Sequence, residues 1–147
     1  MKYILVIFCL LITASFFNDG IYDIELPPIH IYNLKKDTYT TEQITYAIIK
    51  HESRFNSQAI GYNKNGSRDL GIAQFNERYL NWYKNQYGEF DPFVPGEAIP
   101  VAIKHIESLK DRLGCWDAAI QAYNIGEAAF LNGKRAAEYL NKVKEFL

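Results

Sequence analysis

Two stretches in which apolar residues recur with a helical period most constrain what this chain can fold into. The first begins near Thr40, which has the capping-box spacing to Gln43. The second runs from about Glu97 to Leu113. Apolar side chains three or four residues apart share one face of a helix, so each stretch predicts an amphipathic helix against a core. The predicted core faces are Ile44, Ala47, Ile48, His51 and Phe55 in the first helix and Ile99, Ala102, Ile103, Ile106, Leu109 and Leu113 in the second.

The segment between these helices predicts a small irregular lobe. Residues 56–69 are rich in Asn, Gly and Ser, which favours a loop with a small hairpin around Asn65-Gly66. Asn76 then stands where a helix cap is expected, before a helix that includes Tyr83. The sequence therefore predicts a mainly α domain with a small loop or β lobe.

Other residues predict where the later helices begin and end. Pro100 fits only in the first turn of the second helix, and Gly114 is a natural stop. A further helix should start near Trp116, with Asp117 as its cap, and residues 134–146 should form the last one.

Length and charge exclude some functions. A chain of 147 residues with a net charge of −1 fits one globular domain. It has no basic run, which argues against a nucleic-acid partner. Eleven Tyr, nine Phe and two Trp could build a core or line a groove for a sugar polymer.

The N-terminal residues predict export. A short positive start precedes an uncharged apolar run that is too short for a comfortable membrane span, so residues 1–15 are predicted to be a signal peptide. An uncleaved membrane anchor is the alternative. Residues 16–39 contain Pro27-Pro28 and predict an extended linker, which leaves 40–147 as the domain. We expect a periplasmic or extracellular monomer that retains only Cys115 and forms no internal disulfide.

Glu52 follows the first apolar stripe directly, at the boundary between core and solvent. His51-Glu52 opens like a zinc-protease helix, but that motif requires a second His at position 55, where Phe stands. The three His residues show no ligand spacing, so no metal is expected. On its own Glu52 is either a solvated helix residue or a catalytic acid.

Four motifs in order resemble the bacterial lysozyme-like lytic transglycosylases of the soluble type. Glu52-Ser53 matches the family's Glu-Ser pair, and residues 71–74, Gly-Ile-Ala-Gln, match its Gly-Leu-Met-Gln motif. Residues 122–126, Ala-Tyr-Asn-Ile-Gly, match Ala-Tyr-Asn-x-Gly, and a closing Tyr and Val match Tyr139 and Val143. The resemblance covers about residues 40–145.

The resemblance implies a lysozyme-like fold with a substrate cleft between the helices and the small lobe. It implies cleavage of the β-1,4 bond between N-acetylmuramic acid and N-acetylglucosamine in peptidoglycan, with a 1,6-anhydro product and no cofactor. The glycan strand is then the partner, and a cell-envelope machine could be another. Glu52 would supply the proton that the leaving oxygen needs, because burial keeps a carboxyl protonated.

The resemblance also implies roles for Ser53, Gln74, Tyr123 and Asn124 in substrate binding. The amides of Gln74 and Asn124 suit N-acetyl and hydroxyl groups, and the Tyr123 hydroxyl could hold Glu52 or the sugar. Helix caps and a buried core tyrosine are the structural alternatives. Gly71 would let the backbone pass close to the substrate or to the Glu52 helix.

Asp69, 17 residues after Glu52, is either a second carboxylate or a turn residue. The surrounding sequence is similar to the hairpin of animal-type lysozymes. A muramidase in which Asp69 works with Glu52 on a water molecule is therefore one alternative function. A non-catalytic peptidoglycan-binding or assembly protein is another, although intact Glu52, Gln74 and Tyr123 argue against it. Ala73 departs from the family's Met, and Gly61 lies where many members carry a serine.

Overall fold

The computed structural model describes residues 39–147, which form a helical domain with a small antiparallel sheet. The predicted signal peptide, and the predicted linker up to residue 38, lie outside the described residues. Within that range no helix is long and apolar enough to cross a membrane. The elements are α1 (Thr41–Glu52), β1 (Ile60–Tyr62), β2 (Arg68–Leu70), β3 (Phe75–Asn76), a 3₁₀ helix (Glu77–Tyr79), α2 (Leu80–Tyr87), α3 (Pro95–Leu113), α4 (Trp116–Ile125), α5 (Glu127–Leu131) and α6 (Ala137–Lys144).

Helix α1 begins as predicted but ends earlier. The Thr40 and Gln43 side chains each bond the other's backbone N–H, which completes the capping box. Arg54 and Phe55 then adopt left-handed backbone conformations, with φ of 52° and 65°, so the helix ends at Glu52. Phe55 is therefore not on the core face, as its spacing predicted, but packs on Tyr46 with 4.9 Å between ring centroids.

Helices α1, α3, α4 and α6 share the larger core, whose fully buried residues include Ile44, Ile48, Ile106, Leu109, Ile120 and Val143. Burying such side chains stabilises the fold by about 1.5–3 kcal/mol each. The core face of α3 differs from the prediction, because Ile99, Ile103 and Leu113 are only half-buried. Ala98, Val101 and His105 are buried instead.

Helix α3 also begins earlier than predicted, at Pro95. Pro100 consequently lies in the second turn and not in the first. A proline there cannot donate to the carbonyl of Gly96, and both residues are exposed, so water can replace that bond. Gly114 ends the helix in the left-handed conformation, with φ of 84°, as predicted.

The C-terminal region differs most from the prediction. Asp117 does not cap α4, because Cys115 holds the cap position and Asp117 pairs with Lys144 at 2.7 Å. The single helix predicted over residues 134–146 is the shorter α6, and α5 precedes it.

The small lobe is a three-stranded sheet in the order β1-β2-β3, with the predicted hairpin between β1 and β2. Asp69 stands opposite Gly61 on one side and Asn76 on the other. Gly71 adopts a φ of 73°, and a Cβ on it would lie 1.8 Å from the Pro92 carbonyl oxygen. The close approach at Gly71 is thus to the loop before α3 and not to the Glu52 helix, and an approach of Gly71 to the substrate stays a prediction. The predicted mainly α fold with a small β lobe is confirmed.

Candidate active site

A polar cleft lies where the sheet faces the helices, and it encloses about 300 Å³. It is lined by Glu52 from the end of α1, by Asp69 and Asn76 from the sheet, and by residues around the end of α4. Five of the six side chains predicted for the site line it, namely Glu52, Asp69, Gln74, Tyr123 and Asn124.

The Glu52 carboxyl has a raised pKa. Burial raises its pKa from 4.5 to about 7, because the low-dielectric surroundings disfavour the charged form. The Tyr139 hydroxyl donates a hydrogen bond of 2.5 Å to Glu52 Oε1, which partly offsets the rise in pKa. The negative charge of Asp69 raises the pKa further. Near neutral pH this carboxyl can therefore both donate and accept a proton.

Tyr139 is a site residue that sequence reasoning did not assign. It lies on α6, 87 residues after Glu52, and its ring is buried. The His51 ring packs edge-on against it with 5.0 Å between centroids. Its place in the closing motif was the available signal, but the motif gave no indication of which residue its hydroxyl contacts.

Asp69 is held by two amide groups. Asn76 Nδ2 donates to Asp69 Oδ1 at 2.7 Å, and Asn63 Nδ2 donates to Oδ2 at 2.8 Å. Both asparagines also reach the buried Ser67 hydroxyl, at 3.0 and 3.3 Å. Ser67 in turn donates to Asn65 Oδ1 at 2.7 Å. Because both oxygens of Asp69 accept hydrogen bonds, this network fixes the direction in which the carboxylate faces the cleft.

Asn63, Asn65 and Asn76 were not predicted as site residues, whereas Ser67 was considered as a substitute for the serine that many family members carry near Gly61. Asn65 and Asn76 were assigned to the hairpin turn and to a helix cap, and the structure shows them in these places too. The signal was their spacing in the hairpin around Asp69. That signal alone does not show which side chains reach Asp69, because the contact with Asn76 depends on the sheet register that places the two residues opposite each other.

Gln74 and Tyr123 contact the backbone of the sheet lobe. Gln74 has a φ of 53°, and its Nε2 donates to the Gly71 carbonyl at 2.8 Å and lies 3.3 Å from that of Ala59. The Tyr123 hydroxyl donates to the Ala73 carbonyl at 2.8 Å. The prediction that Tyr123 could hold Glu52 is therefore wrong for this structure, because Tyr139 makes that contact. Binding of substrate by Gln74 and Tyr123 stays a prediction.

Ser53 and Asn124 have different places. The Ser53 hydroxyl lies 2.7 Å from the Ile72 carbonyl, which ties the end of α1 to the segment after β2, and its side chain is not part of the cleft lining. Asn124 is exposed at the end of α4 and lines the cleft. Their roles in substrate binding also stay predictions.

In the part of the chain that the structure describes, no group of three or more His, Cys, Asp or Glu residues could hold a metal ion. His105 lies on α3 and is buried, and the hydroxyl of Tyr87, at the end of α2, contacts its Nδ1 at 3.2 Å. Burial lowers its pKa from 6.5 to about 4, so it is neutral at physiological pH.

Comparison with known proteins identifies the family. The family model described as transglycosylase SLT domain matches residues 31–146, and the match begins within the stretch predicted as linker. Searches of curated proteins and of solved structures found no significant match. The predicted lysozyme-like fold agrees with the family and with the observed helices and sheet. The chain belongs to the transglycosylase SLT domain family, whose members are transglycosylase-type enzymes related to peptidoglycan.

Proposed function

We propose that the protein is a lytic transglycosylase that cleaves the β-1,4 bond between N-acetylmuramic acid and N-acetylglucosamine. The observation that carries this proposal is the place of Glu52, which lines the polar cleft at the end of α1 and accepts a hydrogen bond from Tyr139. Its pKa, raised to about 7 by burial, suits proton transfer in both directions. The polar cleft beside it has room and hydrogen-bonding groups for a sugar.

In the first step Glu52 donates its proton to the glycosidic oxygen, and the bond from that oxygen to C1 breaks. The substrate's own N-acetyl oxygen and the nearby Asp69 carboxylate stabilise the positive charge that develops on the ring. Glu52 is then an anion, and the Tyr139 hydroxyl stabilises it with its hydrogen bond.

In the second step the muramyl 6-hydroxyl attacks C1 and gives its proton back to Glu52. A C1–O6 bond forms, the 1,6-anhydro ring closes, and no water is consumed. The nucleophile belongs to the same sugar, so the attack gains from proximity. One carboxyl therefore suffices for both proton transfers, and a second is not required.

Asp69 supports a second candidate, a muramidase in which water replaces the 6-hydroxyl. The amides of Asn63 and Asn76 fix its carboxylate in the same cleft as Glu52. Such a carboxylate could stabilise the ring cation or activate water.

Mass spectrometry of the products from purified peptidoglycan tests the proposal. We expect 1,6-anhydro ends, which are lighter than reducing ends by one water. Products with only reducing ends would favour the muramidase, and intact peptidoglycan would favour a non-catalytic binding protein. A Glu52→Gln protein purified in the same way controls for contaminating enzymes.

We also propose that the chain is exported, with residues 1–15 as its signal peptide. The support is the charge and apolar pattern of the sequence. N-terminal sequencing of protein recovered outside the cytoplasm should begin after about residue 15. An intact N-terminus in the membrane fraction would favour an anchor.

A further inference from the structure

A second pocket adjoins the cleft on the side of α6. It encloses about 420 Å³ and shares Asn124 and Ile125 with the cleft. Tyr139, whose hydroxyl holds Glu52, also lines it. The other charged or titratable side chains that line this second pocket are His51, Arg135, Glu138 and Lys142. We call the second pocket the basic pocket. The two spaces therefore share the Asn124-Ile125 segment as a common wall.

Arg135 is held in place from one side. Its Nη1 donates to the carbonyls of Phe130 and Lys134, at 2.9 and 2.7 Å, and its guanidinium lies over the Phe130 ring at 4.3 Å. Among residues 39–147 the structure shows no partner for its Nε and Nη2. Two adjacent N–H groups of a guanidinium match the two oxygens of a carboxylate. Arg135 is thus oriented for a carboxylate before any ligand arrives.

The other charges leave the pocket with a positive balance. Lys142 pairs with Glu138 at 2.7 Å, but both side chains are at least half exposed, so this pair contributes little and a ligand can compete for the lysine. Burial, and to a lesser degree Lys142, lower the pKa of His51 and favour its neutral form. The catalytic cleft, in contrast, carries the two carboxyls Glu52 and Asp69.

We propose that the basic pocket binds a carboxylate of the peptide branch that the muramic acid carries. The inference rests on the proposed function. The branch begins on the sugar whose C1–O bond breaks, and an extended peptide advances roughly 3.5 Å per residue. An acidic residue among its first few positions can therefore reach a pocket whose wall is the Asn124-Ile125 segment of the cleft. The pocket makes the protein select glycan that bears acidic branches.

Co-sedimentation with purified peptidoglycan sacculi tests this selection. All proteins carry Glu52→Gln so that the polymer stays intact. One sample of sacculi is untreated, and in the other the branch carboxylates are converted to carboxamides with carbodiimide and ammonia. Arg135→Ala removes the guanidinium, and Arg135→Lys keeps the charge without the paired N–H groups. Lys134→Ala is the matched control, because it removes a neighbouring exposed charge outside the pocket lining.

We expect the protein with Glu52→Gln alone to bind untreated sacculi about two- to fivefold more tightly than amidated ones, the size expected for one exposed ion pair. Arg135→Ala should lose this preference, Arg135→Lys should keep a smaller part of it, and Lys134→Ala should keep it all. A preference that survives in Arg135→Ala, or that Lys134→Ala loses equally, would overturn the proposal. The outcome is independent of turnover, so a failure of the proposed reaction would show separately as unchanged peptidoglycan in digests by the protein with Glu52 intact.

Discussion

Glu52 and Asp69 line the same cleft, but the helices around Glu52 and the sheet around Asp69 give the two carboxyl groups different surroundings. Glu52 ends a helix whose other face is buried in the apolar core, and among residues 39–147 it has one hydrogen-bond donor, the Tyr139 hydroxyl. Asp69 lies in a three-stranded sheet rich in short polar side chains, where two amides donate to it. The helical region excludes solvent from the Glu52 carboxyl. In the sheet region, fixed amide dipoles take the place of solvent around the Asp69 carboxyl.

This difference assigns different tasks to the two groups. A carboxyl in an apolar setting retains its proton near neutral pH and can act as a general acid. A carboxylate with both oxygens bonded to amides is suited to hold a fixed negative charge near a developing cation. The following substitutions change one region at a time.

The largest effect is expected for Glu52→Gln, which removes the proton that the reaction needs while nearly preserving shape. Loss of general acid-base catalysis should lower kcat by about 10²–10⁴-fold. Release of soluble muropeptides from peptidoglycan measures it. Glu107→Gln, an equivalent change on the exposed face of α3, should leave the rate unchanged. Parent-like turnover by Glu52→Gln would place the catalytic acid elsewhere.

Tyr139→Phe should have the next largest effect. It removes the hydroxyl that stabilises the Glu52 anion, and a hydrogen bond to a charged group is worth about 1.5–3 kcal/mol, or roughly 10- to 100-fold in kcat. That hydroxyl lowers the pKa of Glu52, so its loss should move the basic limb of the pH–rate profile to higher pH. Tyr46→Phe, which removes the hydroxyl of an exposed tyrosine outside the cleft lining, is the control. A rate loss without that upward movement would reduce Tyr139 to a packing role.

Asp69→Asn should have the smallest effect, a loss of less than about tenfold, or about 1.4 kcal/mol in the barrier. The Asp69 charge raises the pKa of Glu52, so its removal should move the basic limb to lower pH, opposite to Tyr139→Phe. Asp111→Asn, the same change at an exposed position of α3, is the matched control. If Asp69→Asn is inactive but folded, and the parent makes only reducing ends, the muramidase is the better description.

Much of the fold was predictable because the sequence signals for helix ends and tight turns are local. The Thr40 capping box, the Gly114 stop and the hairpin around Asn65-Gly66 each depend on residues within a few positions of one another. The early end of α1 was not predictable, because Phe55 fits the apolar spacing and only its left-handed backbone removes it from the stripe.

The candidate site was predictable in its members but not in its contacts. The motifs identified Glu52, Gln74 and Tyr123, and all three line the cleft. They could not show that Tyr139 rather than Tyr123 holds Glu52, because that choice depends on how α6 packs against α1. The amide network around Asp69 was missed for a similar reason, since it depends on strand register.

The pKa of Glu52 is the quantity on which the account depends most directly. Carboxyl ¹³C chemical shifts followed by NMR from acid to alkaline pH measure it, and the signal that is absent in Glu52→Gln assigns the group. Burial at the end of α1 predicts a titration at about 7, well above the ordinary value of 4.5. A Glu52 signal that titrates near 4.5 would mean that the helical region does not protect its proton, and would contradict the assignment of Glu52 as the group that both donates and recovers the proton.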